Sequence, residues 1–93
     1  MKQLSEPMQK IKNDALNVPL KEMKNINEKW LKGEGLSDIE IIALYFFYND
    51  LYKKLDILCP RYSLAYSDAV RTKESIGIVL WTRFLEDMPQ LID

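Results

Sequence analysis

The sequence predicts an all-α fold: a small bundle of four helices, two short N-terminal helices packed on a long antiparallel helical pair. Three observations predict it. Apolar residues recur at steps of three and four through most of the chain, the spacing of a helix face. Pro7, Pro19, Gly33, Gly35, Pro60 and Pro89 fall at the starts and ends of those periodic runs, where they punctuate helices rather than break them. Residues 76–81 hold β-branched side chains that would suit a strand, but a lone strand has nothing to pair with.

The first helix is expected to begin at Ser5, Glu6 and Pro7: a cap hydroxyl, an acid for the helix dipole and a proline in the first turn. Met8, Ile11, Ala15 and Leu16 then follow helical spacing until Asn17, Val18 and Pro19 interrupt it. A second helix spans about 19–32, with Leu20, Met23, Ile26 or Asn27, Trp30 and Leu31 as its apolar stripe and Lys21, Lys24, Glu28, Lys29 and Lys32 opposite. Gly33 to Gly35 ends it, because glycine readily takes the left-handed conformation found there.

The third helix is the most informative stretch. Ser37 followed three residues later by Glu40 has the form of a capping box, and Leu36 is placed to staple the first turn. Behind the cap, residues 41–48 are apolar or aromatic on every side. A surface helix needs one apolar stripe, so an all-round apolar turn must be buried twice: by its own domain and by something else. At 100° per residue, Ile41, Leu44, Tyr45, Tyr48, Leu51, Tyr52, Leu55 and Cys59 form a core stripe. Ile39, Ile42, Phe46 and Ile57 lie on a different sector, broken by Lys53. Pro60 stops the helix.

The last helix is expected from within 60–63 to about Asp87. Tyr62, Ala65, Tyr66, Ala69, Val70, Ile76, Leu80 and Phe84 stay in phase, and the small residues Ala65, Ala69 and Gly77 suit close helix approach. Met88, Pro89 and Gln90 are expected to end the structure, so that residues 1–93 form one domain with 1–4 and 89–93 frayed.

Ninety-three residues lie near the lower end of what folds without disulfides or a metal. The net charge of −1 is neither basic enough for non-specific nucleic-acid binding nor acidic enough to imitate a phosphate backbone. Charge is uneven: residues 1–32 carry +3, 33–60 carry −3 and 61–93 carry −1. That pattern suits basic helices lying against an acidic one; the alternative is a basic patch for phosphate. Cys59 is the lone cysteine, which excludes an internal disulfide and suits a reducing compartment. Residues 1–12 are polar and charged, and no run of 18 apolar residues could span a membrane. The cytoplasm is the expected location.

The chemistry of catalysis is missing. The absence of histidine removes the commonest general base and transition-metal ligand. One cysteine cannot make a structural zinc site, and Gly33, Glu34 and Gly35 form no phosphate loop. Asp38 and Glu40 have capping roles, and Glu86 with Asp87 reads as a solvated helix end. No catalytic, cofactor-binding or metal-binding residue is assigned, and the chain is not expected to be an enzyme. Tyr45, Tyr48, Tyr52, Tyr62 and Tyr66 suit a seam between the last two helices; the alternative is a nucleotide pocket charged by Arg61, Arg71 or Lys73.

Residues Glu28, Lys29, Trp30, Leu31, Lys32 and Gly33, followed by Leu36 through Glu40 and by Leu51, Tyr52, Lys53, Lys54 and Leu55, resemble short helical accessory proteins of temperate phages. The resemblance implies a protein that binds and modulates a host protein, such as a nuclease or a defence component. It carries no site residue across.

The expected function is a non-enzymatic protein-binding module: an inhibitor, an immunity factor or a modulator, with a homodimer as one option. Its partner-binding residues are expected to be Ile39, Ile42 and Phe46 on the second stripe, with Trp81 and Arg83, residue types that often dominate interface energetics. The alternatives are a helical oligomer holding a nucleotide-like ligand and a weak nucleic-acid binder using the Lys-rich first two helices.

Overall fold

A computed structural model describes residues 4–58 and 64–92, apart from the side chains of Leu58, Leu64 and Ala65. The four expected helices are α1 (Glu6–Leu16), α2 (Leu20–Leu31), α3 (Asp38–Leu58) and α4 (Leu64–Phe84). A turn of 3₁₀ helix, Leu85–Asp87, then leads into a short α5, Met88–Ile92. No strand occurs among the described residues.

The helix ends follow the capping residues. Ser5 is extended, and its hydroxyl oxygen accepts the Met8 N–H at 3.4 Å at the start of α1. Gly33 has φ +75° just past α2. Its N–H donates to the Trp30 carbonyl at 3.1 Å, and the Glu34 N–H donates to the Lys29 carbonyl at 2.9 Å. That pair of bonds is the Schellman motif. At α3 the capping box closes in both directions: the Glu40 N–H donates to Ser37 Oγ at 3.2 Å, and the Ser37 N–H donates to Glu40 Oε1 at 3.0 Å. Leu36 and Ile41, the two staple positions, are both buried.

The helix α3 is the centre of the bundle, because α1, α2 and α4 all pack on it. The pairing of α3 with α4 is antiparallel. Asp38 at the start of α3 meets Arg83 near the end of α4, while Tyr52 further along α3 meets Tyr66 near the start of α4. Ile41, Ile42, Ala43, Leu44 and Tyr45 are five consecutive buried residues. Five residues at 100° each pass once around the helix, so this turn is covered on every side. The cover is α4 on one flank and α1 with α2 on the other.

Burial weakens along α3. Leu51, Tyr52 and Leu55 are only half-buried, and Ile57 is 83% exposed. The core is concentrated at the other end, where Ile76 and Leu80 of α4 join Ile41, Ile42 and Leu44. Ala69 is buried, and at Gly77 an added Cβ would lie 3.6 Å from the Tyr45 ring. The helix that approaches Gly77 is thus α3. The expectations for Cys59, Pro60 and Tyr62, and for residues 1–3, lie outside the described residues.

Three expectations are corrected. Leu20 and Leu31 were placed on the buried stripe of α2, but they are 78% and 72% exposed. Met23, Ile26 and Trp30 face α3, and the two leucines lie past the edge of that arc. Residue 4 is not loose, since Leu4 packs against the core. The largest correction concerns residues 85–92. The fourth helix stops at Phe84 rather than Asp87, and residues 89–92 are structured rather than frayed. Leu85 adopts φ +36°, a left-handed conformation that costs an L-residue about 1–2 kcal/mol. The turn swings α5 back so that Met88 and Leu91 are fully buried, each burial contributing roughly 1.5–3 kcal/mol. Pro89 lies in the first turn of α5, where its missing N–H leaves no bond unmade.

Candidate docking surface

The second stripe of α3 is largely used within the fold. Ile42 is 1% exposed and belongs to the core, so its side chain is not presented to a partner. Ile39 and Phe46 are half-buried and pack against the same core. Phe46 shares a pocket of about 130 Å³ with Leu16 of α1, Val18 of the linker, and Leu20 and Met23 of α2. Ile39 lines a cleft of about 300 Å³ with Val18, Ile26 and Lys29. The all-round apolar turn is therefore buried twice within one chain, α1 and α2 supplying the second cover. Ile57, the last residue of that stripe, stays in solvent.

Polar contacts fix α2 against α3. The Tyr48 hydroxyl donates to Asn27 Oδ1 at 2.6 Å. Burial pushes the Tyr48 hydroxyl above its ordinary pKa, and the charge of Asp68 adds to this. Lys29 Nζ lies 2.8 Å from Glu40 Oε2. The hydrogen bond from Lys29, with the capping bonds of Ser37, holds the Glu40 carboxyl below its usual range, and the same Glu40 bond and charge raise Lys29. One carboxylate thus closes the helix cap and anchors α2.

The tyrosine seam between α3 and α4 is also engaged. The rings of Tyr52 and Tyr66 lie 6.0 Å apart, and Lys73 Nζ sits 4.5 Å from the Tyr52 ring centroid. Lys73 therefore rests on an aromatic face already present in the fold. Burial, with a smaller contribution from Tyr52, raises Tyr45.

On α4 the structure separates the two expected site residues. Trp81 is 49% exposed. Arg83, about 200° further round the helix, turns toward α3 and places Nη1 3.4 Å from Asp38 Oδ1. Arg83 ties two helix ends together, whereas Trp81 faces outward. The residue that accompanies Trp81 on α4 is Ile78, 68% exposed and one turn away on the same face; Leu85, 64% exposed, lies beyond the end of α4. Beside that face lies a groove of about 310 Å³ floored by Tyr45, Gly77 and Met88, with Lys73 and Glu74 at its edge. Gly77 opens the groove because it has no side chain to fill it. The sequence carried a usable signal for Ile78: it lies off the face of Ile76 and Leu80 and one turn from Trp81.

Among the described residues no group of His, Cys, Asp and Glu side chains comes together that could hold a metal ion. No helix among them is long and apolar enough to cross a membrane. No family model matches the chain, and no curated protein or solved structure matches it.

Proposed function

We propose that this chain is a non-enzymatic protein-binding module of the cytoplasm, an inhibitor, immunity factor or modulator, that docks through the outward face of α4. The observation that carries this reading is the pair Ile78 and Trp81, exposed one turn apart on α4 and lining an open groove. Contiguous exposed apolar surface costs solubility and marks interaction sites when polar residues rim it. Here Lys73 and Glu74 supply charge at the rim, the arrangement of an apolar centre with a polar border found at protein interfaces. Trp81 is the anchor, an exposed aromatic of the type that often dominates interface energetics.

Of the five residues expected to bind a partner, this reading keeps Trp81 and sets Ile39, Ile42, Phe46 and Arg83 in supporting structural roles. The phage-accessory resemblance fits the same function, as a modulator of a host protein. The test is capture from a host extract with the wild-type chain, Ile78→Asp, and Leu20→Asp as a control on a different exposed face. The reading expects one protein to be retained by the wild type and by Leu20→Asp, and lost with Ile78→Asp. Retention by Ile78→Asp at wild-type levels would remove the α4 face from the function.

A further inference from the structure

The segment after α4 is held by a few contacts and opposed by two local defects. Met88 and Leu91, each 1% exposed, are its apolar anchors in the core. Lys12 Nζ of α1 donates to the Gln90 carbonyl oxygen at 2.9 Å. Against these, Leu85 is left-handed at φ +36° while its own side chain stays in solvent. Only glycine, and to a lesser degree asparagine and aspartate, take that conformation readily. The side-chain Oε1 of Gln90 is buried with no hydrogen-bond partner among the described residues, a penalty borne only while the segment is docked.

We propose that α5 is a latch that opens by itself, hinged at Leu85, while α1 to α4 stay folded. A helix of five residues cannot hold its own conformation in water. Release therefore converts α5 to loose chain rather than to a displaced helix. Segments with few buried contacts open at lower free energy than the whole domain. Met88 also floors the groove beside Trp81, so opening deepens that groove toward Ile76 and Leu80. The latch rests on packing around α5 and holds whether or not the α4 face binds a partner.

The thioether of Met88 reports the opening. Dilute hydrogen peroxide converts accessible methionine to its sulfoxide, and peptide mapping of the full chain gives the initial rate at Met88. The rate is measured across urea concentrations well below the unfolding midpoint, in the wild type, Leu85→Gly and Gln90→Leu. A local opening exposes little surface, so the wild-type rate should be nearly flat in urea. Relief of either defect should slow oxidation roughly five- to tenfold, tenfold corresponding to about 1.4 kcal/mol. A rate that climbs with the urea slope of global unfolding, followed by circular dichroism, overturns the proposal, because α5 then opens only with the domain. Direct attack on the closed form would also be flat in urea, but it would not respond to Leu85→Gly. An unchanged rate in both variants overturns the proposal as well.

Discussion

Two helices of this chain carry more apolar surface than one core face requires, and the structure treats them oppositely. The second stripe of α3 is covered by α1 and α2, so that Ile42 is buried and Phe46 half-buried. On the outward side of α4, Ile78 and Trp81 remain exposed. On a helical wheel the two look alike. What separates them is position in the bundle: α3 is the centre, with α1, α2 and α4 packed on it, while α4 packs on α3 and on the short segment that follows it. An apolar stripe becomes a candidate docking surface when the chain has no element left to cover it.

The comparison can be broken first at Ile42. Truncation to alanine should cost on the order of 2–5 kcal/mol, the range for a buried aliphatic that leaves a cavity. In a domain with roughly 5–15 kcal/mol of total stability, that is enough to depopulate the native state. Urea unfolding of Ile42→Ala would measure it, and a midpoint like the parent's would place α1 and α2 away from α3.

A smaller effect is expected at Leu55, further along the same helix. Its face is expected from the sequence to be full core, but it is half-buried. Leu55→Ala should cost about 1 kcal/mol, roughly half of what full burial of a leucine contributes. A loss as large as that of Ile42→Ala would show that the far end of the helical pair is covered too.

Ser37→Ala should also cost about 1 kcal/mol by opening one half of the capping box. The substitution should leave partner binding intact, since Ser37 lies on neither apolar stripe. Glu40→Gln sharpens the electrostatic side of the α2 anchor. The Glu40 carboxyl is held below its ordinary pKa, so it adds stability above the usual carboxylate range and loses it as pH falls below that range through the lowered folded-state value. The variant should be less stable than the parent at pH 7, with the difference fading toward pH 3. Denaturant midpoints at the two pH values would show it; an equal difference at both would mean that Glu40 does not titrate with folding.

Much of the fold was legible because its signals are local. Ser5, Ser37 with Glu40, and Gly33 announce helix ends through bonds that span only a few residues. The need to bury residues 41–45 on all sides was also legible, since it follows from composition within one turn. Which neighbour would do so was not, because a wheel shows what a helix must hide and not what hides it. The short α5 was missed for a different reason. Leu85 is not a turn residue, and the break there is imposed by the burial of Met88 and Leu91 rather than by local preference. Arg83 and Trp81 were grouped by residue type, and helix geometry separates them.

The sharpest measurement sets Phe46→Asp against Ile78→Asp, with thermal unfolding by circular dichroism and mass by light scattering on the same samples. The account predicts that Phe46→Asp loses on the order of 2 kcal/mol or more, because a charge meets half-buried core. Ile78→Asp should stay within about 1 kcal/mol of the parent, as a surface substitution does, and remain a well-folded, soluble chain. If Phe46→Asp instead melts like the parent while Ile78→Asp unfolds, then the covered stripe is the one on α4, and the division between structural and docking surfaces drawn here is reversed.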